Sequence, residues 1–167
     1  MTENDSLRER TFTWTDPLAT FAEGRQLSGL DYLHALLRGE LPKPPISEAL
    51  DFTLASIEKG RAVFECVPQE FHYNPIGIVH GGLAATLLDS ALGCAVQTML
   101  PAGISYATVE LHVNLVRAIT RETGLLLAEA EVLHFGRQMA TAQGRLIDAN
   151  GKLYAHGSTT CMIVTAG

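Results

Sequence analysis

The chain has 167 residues, enough for one ordinary domain and too few for two independent cores. With 47% hydrophobic and 18% charged residues, disorder is excluded for most of its length. Lys and Arg number 12 against 18 Asp and Glu, and the net charge of −6 argues against a main role in coating nucleic acid or an anionic membrane. Cys66, Cys94 and Cys161 are an odd, widely spaced set with no CxxC pair, which indicates neither a disulfide framework nor a zinc ribbon and fits a reducing cytosol. The opening ten residues are polar, with no apolar signal core. No later run reaches the roughly 20 apolar residues of a membrane span, so a cytoplasmic location is expected. The longest apolar run, Gly81 to Leu100, contains Asp89, Ser90 and Gln97 and is expected to be a buried helix.

In chain order, residues 1–16 are polar and without period, as in a loose arm or a tail that covers a partner. Pro17 to Gly24 and Ser28 to Gly39 carry apolar residues at helical spacing, the second with Ser28 as N-cap. Leu41-Pro42-Lys43-Pro44-Pro45 is expected as a connector, because its prolines remove donors and fix φ. Leu50, Phe52 and Leu54 alternate with other residues, Lys59-Gly60 supplies a turn, and Arg61 to Val67 alternates again, which predicts a hairpin. His72 to Gly82 is a Gly- and Pro-containing loop leading into the central helix, which Pro101 ends.

Thr108 to Val116 is the cleanest strand pattern, with Val109, Leu111, Val113 and Leu115 on one face and Thr108, Glu110, His112 and Asn114 on the other. Three further strands follow over 124–133, 139–147 and 152–164, the last two joined at Asp148 to Gly151, where Asn150-Gly151 is a strong hairpin signal. Two strands, one long apolar helix and four strands on short turns predict an α+β fold in which a curved antiparallel sheet, alone or with a second subunit, covers the helix.

The densest group of unusual residues is Asn74 through His80-Gly81-Gly82, followed on the helix by Asp89. An amide at Gly81 or Gly82, without an intrahelical partner and at the positive end of the helix dipole, can donate to a developing oxyanion; the plain alternative is that the glycines permit tight packing. Asp89 in an apolar helix needs a reason, since an unpartnered buried carboxylate is costly. It lies about 12 Å along the axis from Gly81, so one carbonyl meets both only if the loop folds back or a second subunit supplies one of them, and the spacing points to a site between subunits. Gly93, one turn after Asp89, is expected to leave open space beside the carboxylate.

His80 can orient a carbonyl or a water, although a lone histidine there is more often a satisfied loop residue, and Asn74 can bond a thioester or the loop backbone. Arg117, Arg121 and Arg137 can hold an anion, although each alone is an ordinary surface arginine. Neither HxxxH nor HExxH occurs, GxSxG is absent, and neither phosphate-loop pattern is present, so no metal, nucleophilic serine or nucleotide loop is expected. Cys94 on an apolar helix face is expected as a packed thiol.

With Asn74, His80-Gly81-Gly82, Asp89 and the strand Thr108-Val109-Glu110-Leu111-His112-Val113, the chain from about Leu50 to Val164 resembles the hotdog-fold acyl-CoA thioesterases of the PaaI type. The resemblance implies an antiparallel sheet wrapped on one long helix, in dimers or tetramers whose sites lie between subunits. It divides the chain into an N-terminal arm with short helices, 1–45, and a hotdog domain, 46–167. It implies that Asp89 acts as general base or nucleophile and that Gly81 polarises the carbonyl through its amide. Asn74 and His80 would position thioester and water, and Thr108 would stand beside the acid. Gly82, Arg137 and Gln138 fall where substrate or CoA is held. Where some relatives carry a hydroxyl residue one turn after the acid, this chain has Gly93. Neither metal nor bound cofactor is implied, and the substrate would be an aryl- or medium-chain acyl-CoA. The alternatives are a non-catalytic acyl-CoA binding or sensing protein on the same scaffold and, less compatible with His80-Gly81-Gly82, a hydratase.

Overall fold

The computed structural model describes residues 7–165; the start of the expected N-terminal arm, 1–6, and the last two residues lie outside the described residues. Three helices come first, α1 (Pro17–Gly24), α2 (Gly29–Leu37) and α3 (Pro45–Leu50). The first two lie where apolar spacing puts them. Each is capped by an oxygen side chain: Asp16 accepts from the Leu18 amide at 2.9 Å and Ser28 from that of Asp31 at 3.2 Å. Helix α3 departs from the expectation that the proline connector runs straight into a strand at Leu50. Pro45 occupies the first turn, where its missing N–H leaves no bond unmade and its φ is already helical. Asp51 ends the helix in the left-handed region at φ 54, and the strand begins one residue later.

The hairpin of β1 (Phe52–Glu58) and β2 (Arg61–Cys66) turns at Lys59-Gly60 as expected. Helix α4 (Gly81–Gln97) follows, then β3 (Ile104–Leu115), β4 (Leu126–Phe135), β5 (Met139–Asp148) and β6 (Leu153–Thr165). All six strands pair antiparallel in one sheet of order β1-β2-β4-β5-β6-β3, with β1 and β3 at the edges. The sheet packs on α4, and Leu87, Leu88, Leu92 and Val96 are fully enclosed. At about 2 kcal/mol for each buried Leu, this helix is a main source of stability. Beneath it the sheet presents small residues, Ala128, Ala130, Ala140, Ala142 and Ala155, all buried. Gly144 continues that floor, since a Cβ there would lie 3.3 Å from Leu92 Cδ2. Small residues on the sheet are what let a Leu-rich helix settle closely against it.

Strand β3 carries one correction to the alternation pattern. Thr108 pairs with Cys161 but Glu110 pairs with Thr160, leaving Val109 as an extra residue in a β-bulge. The side-chain alternation slips there. Before the bulge Tyr106 and Thr108 share the face of Ile163 and buried Cys161; after it Leu111, Val113 and Leu115 share the face of Thr159, Gly157 and Ala155. Thr108 therefore points with the apolar residues toward α4 instead of outward with Glu110 and His112.

The β5–β6 turn also differs in detail from the two-residue form that Asn-Gly suggests. Asp148 and Lys152 pair, Gly151 N donates to Asp148 O at 2.9 Å, and only Gly151, at φ +78, is left-handed. Asp148 Oδ1 accepts from the Asn150 and Lys152 amides at 2.8 and 3.0 Å.

Candidate active site

The start of α4 is built by the loop before it. His80 is its N-cap, and Nδ1 accepts from the Gly82 amide at 2.8 Å, which leaves Nε2 to carry the proton of the neutral ring. The His80 amide in turn donates to His72 O at 2.8 Å. With Gly82 engaged by His80, the amide left without a partner among the described residues is that of Gly81. A Cβ at Gly81 would stand 2.5 Å from Leu115 Cδ1 at the end of β3, so a larger residue there would push that exposed side chain aside.

Asn74 holds the same loop in shape. Its Oδ1 accepts from the Ile76 and Ile78 amides at 3.1 and 3.3 Å, and its backbone exchanges bonds with Ile78 and Gly77. Its side-chain nitrogen makes no hydrogen bond to a described residue and is free to donate. Tyr73 Oη, accepting from the Arg121 amide at 2.9 Å, ties the loop to the segment after β3. Nothing in the sequence marks that tie. His72 is buried with both ring nitrogens used: Nδ1 accepts from the Gln69 amide at 2.9 Å, and Nε2 is 2.9 Å from Leu50 O. Burial holds its pKa below the usual histidine range, with the nearby Arg10 charge acting in the same direction.

Asp89 lies two turns further along the same helix, partly exposed, and its Oδ1 accepts from Thr108 Oγ1 at 3.3 Å. The bulge at Val109 makes this contact possible. Strand β3 runs opposite to α4, placing Leu115 beside Gly81, Thr108 beside Asp89 and Tyr106 beside Gly93. The space expected next to Gly93 is filled: a Cβ there would collide with the Tyr106 hydroxyl and come within 3.0 Å of the ring. Cys94 is next to this contact, and burial pushes its thiol up to about 12, the Asp89 charge adding to the effect. Cys161 is likewise raised, chiefly by burial.

Arg137 and Gln138 lie exposed in the β4–β5 turn, where Gln138 O accepts from the Ile163 amide at 2.9 Å. The register Met139, Met162, Ala107 sets that turn level with the Tyr106 to Thr108 stretch of β3, about 10 Å away across two strand spacings. Arg121 instead pairs with Glu122 at 2.9 Å, and Arg117 donates to Leu153 O at 3.2 Å. Among the described residues no group of three His, Cys, Asp or Glu side chains is arranged to hold a metal, and no helix is long and apolar enough to cross a membrane.

A six-stranded antiparallel sheet on one long buried helix defines a hotdog-fold protein. The chain belongs to the thioesterase superfamily, whose family model matches residues 76–155, as a PaaI-type hotdog thioester hydrolase. It is 32% identical over 113 residues to human acyl-coenzyme A thioesterase 13, covering 65% of this chain and 76% of that one. It is 28% identical over 109 residues to the 1,4-dihydroxy-2-naphthoyl-CoA hydrolase of Listeria monocytogenes, covering 65% and 86%. Among solved structures, a phenylacetic acid degradation-related protein from Ralstonia eutropha superposes with TM-score 0.71 at 30% identity, covering 78% of this chain and 98% of that one. The PaaI protein of E. coli shares the fold, with TM-score 0.71 at 21% identity over 84% and 97% of the two chains.

Proposed function

We propose that the chain hydrolyses acyl-CoA thioesters to a free carboxylate and CoA, with Asp89 as the reacting carboxylate. The observation that carries this reading is the placement of Asp89, held at Oδ1 by Thr108 with Oδ2 left to react, on the helix whose first open amide is Gly81. In the base form of the reaction, Asp89 takes a proton from water as the water oxygen bonds to the carbonyl carbon. The Gly81 N–H donates to the carbonyl oxygen as it gains negative charge. The carbon–sulfur bond then breaks, and the thiolate takes the proton from Asp89. In the nucleophile form, Asp89 bonds to the carbonyl carbon and the carbon–sulfur bond breaks to release CoA thiolate; water then cleaves the mixed anhydride to the acid and free Asp89, and the acid's proton passes to the thiolate. His80 Nε2–H and the Asn74 amide nitrogen serve as donors that orient thioester or water. Gly82 leaves the approach open, and Arg137 and Gln138 are available to the CoA portion.

Gly81 and Asp89 of one chain are too far apart along α4 to serve one carbonyl, so the working site takes Gly81 from one copy and Asp89 from another. Edge strand β3 supports this arrangement: Val109 and Leu115 are 58% and 57% exposed, an apolar edge with unpaired backbone groups. The acyl-CoA class is supported by the relatives' activities, those of an acyl-coenzyme A thioesterase and a naphthoyl-CoA hydrolase. The test is thiol release from a panel of aryl- and alkyl-CoA thioesters by the wild type and Asp89→Asn. Release by the wild type alone is expected. If no thioester is cleaved while CoA esters still raise the melting temperature, the chain is a binding module on this scaffold.

A further inference from the structure

The family match begins at residue 76, yet α2, far upstream of it, is built into the same body as Asp89. At the start of α2 the Gly29 amide donates to Leu100 O at 2.9 Å, and a Cβ on Gly29 would collide with the Gln97 carbonyl at the end of α4. The Gly103 amide donates to Arg25 O at 3.0 Å, closing the α1–α2 link onto the segment before β3. Gly24 is bare because the Tyr32 ring occupies the place of its side chain. Tyr32 is thereby held against the far half of α4.

Beyond Asp89 the groups along α4 change in character. Toward Gly81 lie amides, His80 and Asn74; toward Gln97 lie Gly93, Cys94, Tyr106 and Tyr32, all uncharged. Burial pushes both phenols above the usual tyrosine range. The Tyr106 hydroxyl bonds to no described residue, although no fully enclosed side-chain oxygen or nitrogen among those residues lacks a partner. Its oxygen is therefore not fully enclosed, and it stands over Gly93, one turn beyond Asp89. On the other side of Tyr32 a small cavity of about 30 Å³, bounded by Gly29, Gln97 and Ser105, has room for one or two waters and none for an alkyl chain.

We propose that Tyr106, admitted against α4 by Gly93 and backed by Tyr32 of α2, forms the end wall of the acyl site and sets the longest acyl group accepted. The proposal rests on Asp89 being the reacting carboxylate. An acyl group on a thioester at Asp89 runs toward the uncharged half of α4 and meets the Tyr106 ring within about one helical turn. The pocket therefore takes compact acyl groups and turns away long straight chains, and the N-terminal helices act as a specificity element.

The test measures kcat/KM for straight-chain acyl-CoAs from butanoyl to hexadecanoyl and for benzoyl-CoA, using full-length wild type, Tyr32→Ala, Tyr106→Ala and Tyr106→Phe. Compact substrates are expected to lead in the wild type. Removing either wall residue should raise the long-to-short ratio about tenfold or more, the scale of a single methylene in a pocket, whereas Tyr106→Phe, which keeps the ring, should retain the wild-type profile. Loss of folding does not raise turnover of a longer substrate, so the ratio separates a wall from a merely structural role. Tyr32→Ala, on the outer helix, keeps the test available if Tyr106→Ala does not fold. An active wild type with the same length profile in Tyr32→Ala and any folded Tyr106→Ala overturns the wall while leaving the proposed reaction standing. A wild type inert toward every thioester, or Asp89→Asn as active as the wild type, overturns the reading on which the wall rests.

Discussion

Thr108 Oγ1 donates to Asp89 Oδ1 at 3.3 Å, joining residues 19 positions apart on β3 and α4. The contact fixes one carboxylate oxygen, so the orientation of the other is set before substrate arrives. Replacing Asp89 by Asn keeps size and hydrogen bonding but removes the charge. Turnover should fall by about a thousandfold or more, with an unchanged melting curve, while Thr108→Val should cost about tenfold. Steady-state kinetics on both variants checks the pair; a Thr108→Val loss as large as that of Asp89→Asn would mean that the hydroxyl does more than orient.

The His80 ring closes the first turn of α4 by accepting from Gly82. His80→Ala should lose about 1 kcal/mol of stability, the usual worth of an N-cap, read as a lower urea midpoint. Asn at this position should restore most of the midpoint, because its side-chain oxygen can accept the same amide. If it restores stability without activity, Nε2–H has a separate part in the reaction.

His72 makes stability fall on the acid side. Its folded pKa is depressed by burial, so the unfolded chain binds a proton that the folded chain refuses. This contribution is fully retained above the ordinary histidine value of about 6.5 and is lost as pH drops from there toward the depressed value. Protonation of Nδ1 also breaks the bond from the Gln69 amide, in the segment that leads to His80. Chemical denaturation at pH 7.5 and 5.5 should show lower stability at the acid end, and His72→Asn should flatten the difference.

Cys94 is not a nucleophile in this arrangement. Burial and the Asp89 charge push its thiol up to about 12, so almost none is thiolate at neutral pH. Cys94→Ala should retain wild-type turnover, and the folded protein should resist alkylation at this position by iodoacetamide. Stoichiometric modification of Cys94 with loss of activity would require a different account of the site.

Edge strand β3 is the expected contact between copies. Leu115→Lys places a charge on its apolar edge and should give a smaller species than the wild type by sedimentation, with activity lost alongside assembly. A fully active wild-type monomer would rule out a site shared between chains.

Much of the fold was legible in the sequence. The all-round apolar helix with Asp89 in it, the two- and four-strand runs on either side, the Ser28 cap and the Lys59-Gly60 turn all follow from local periodicity and local chemistry. So does the glycine pair at the helix start, whose lack of side chains is a property of the sequence itself. The proline-led helix α3 was legible in principle, since a proline favours a first turn as much as it forbids an interior. What the tertiary structure alone decided is which residues share a face across long separations. The bulge at Val109 is an irregularity in pairing with β6, invisible in β3's own alternation, and it turns Thr108 toward Asp89. The filling of the Gly93 gap by Tyr106, and the reach of Tyr32 from an upstream helix, depend on how β3 and α2 cross α4. Periodicity reports the environment of a segment, whereas a site is made where segments meet, and that meeting is set by packing of the whole chain.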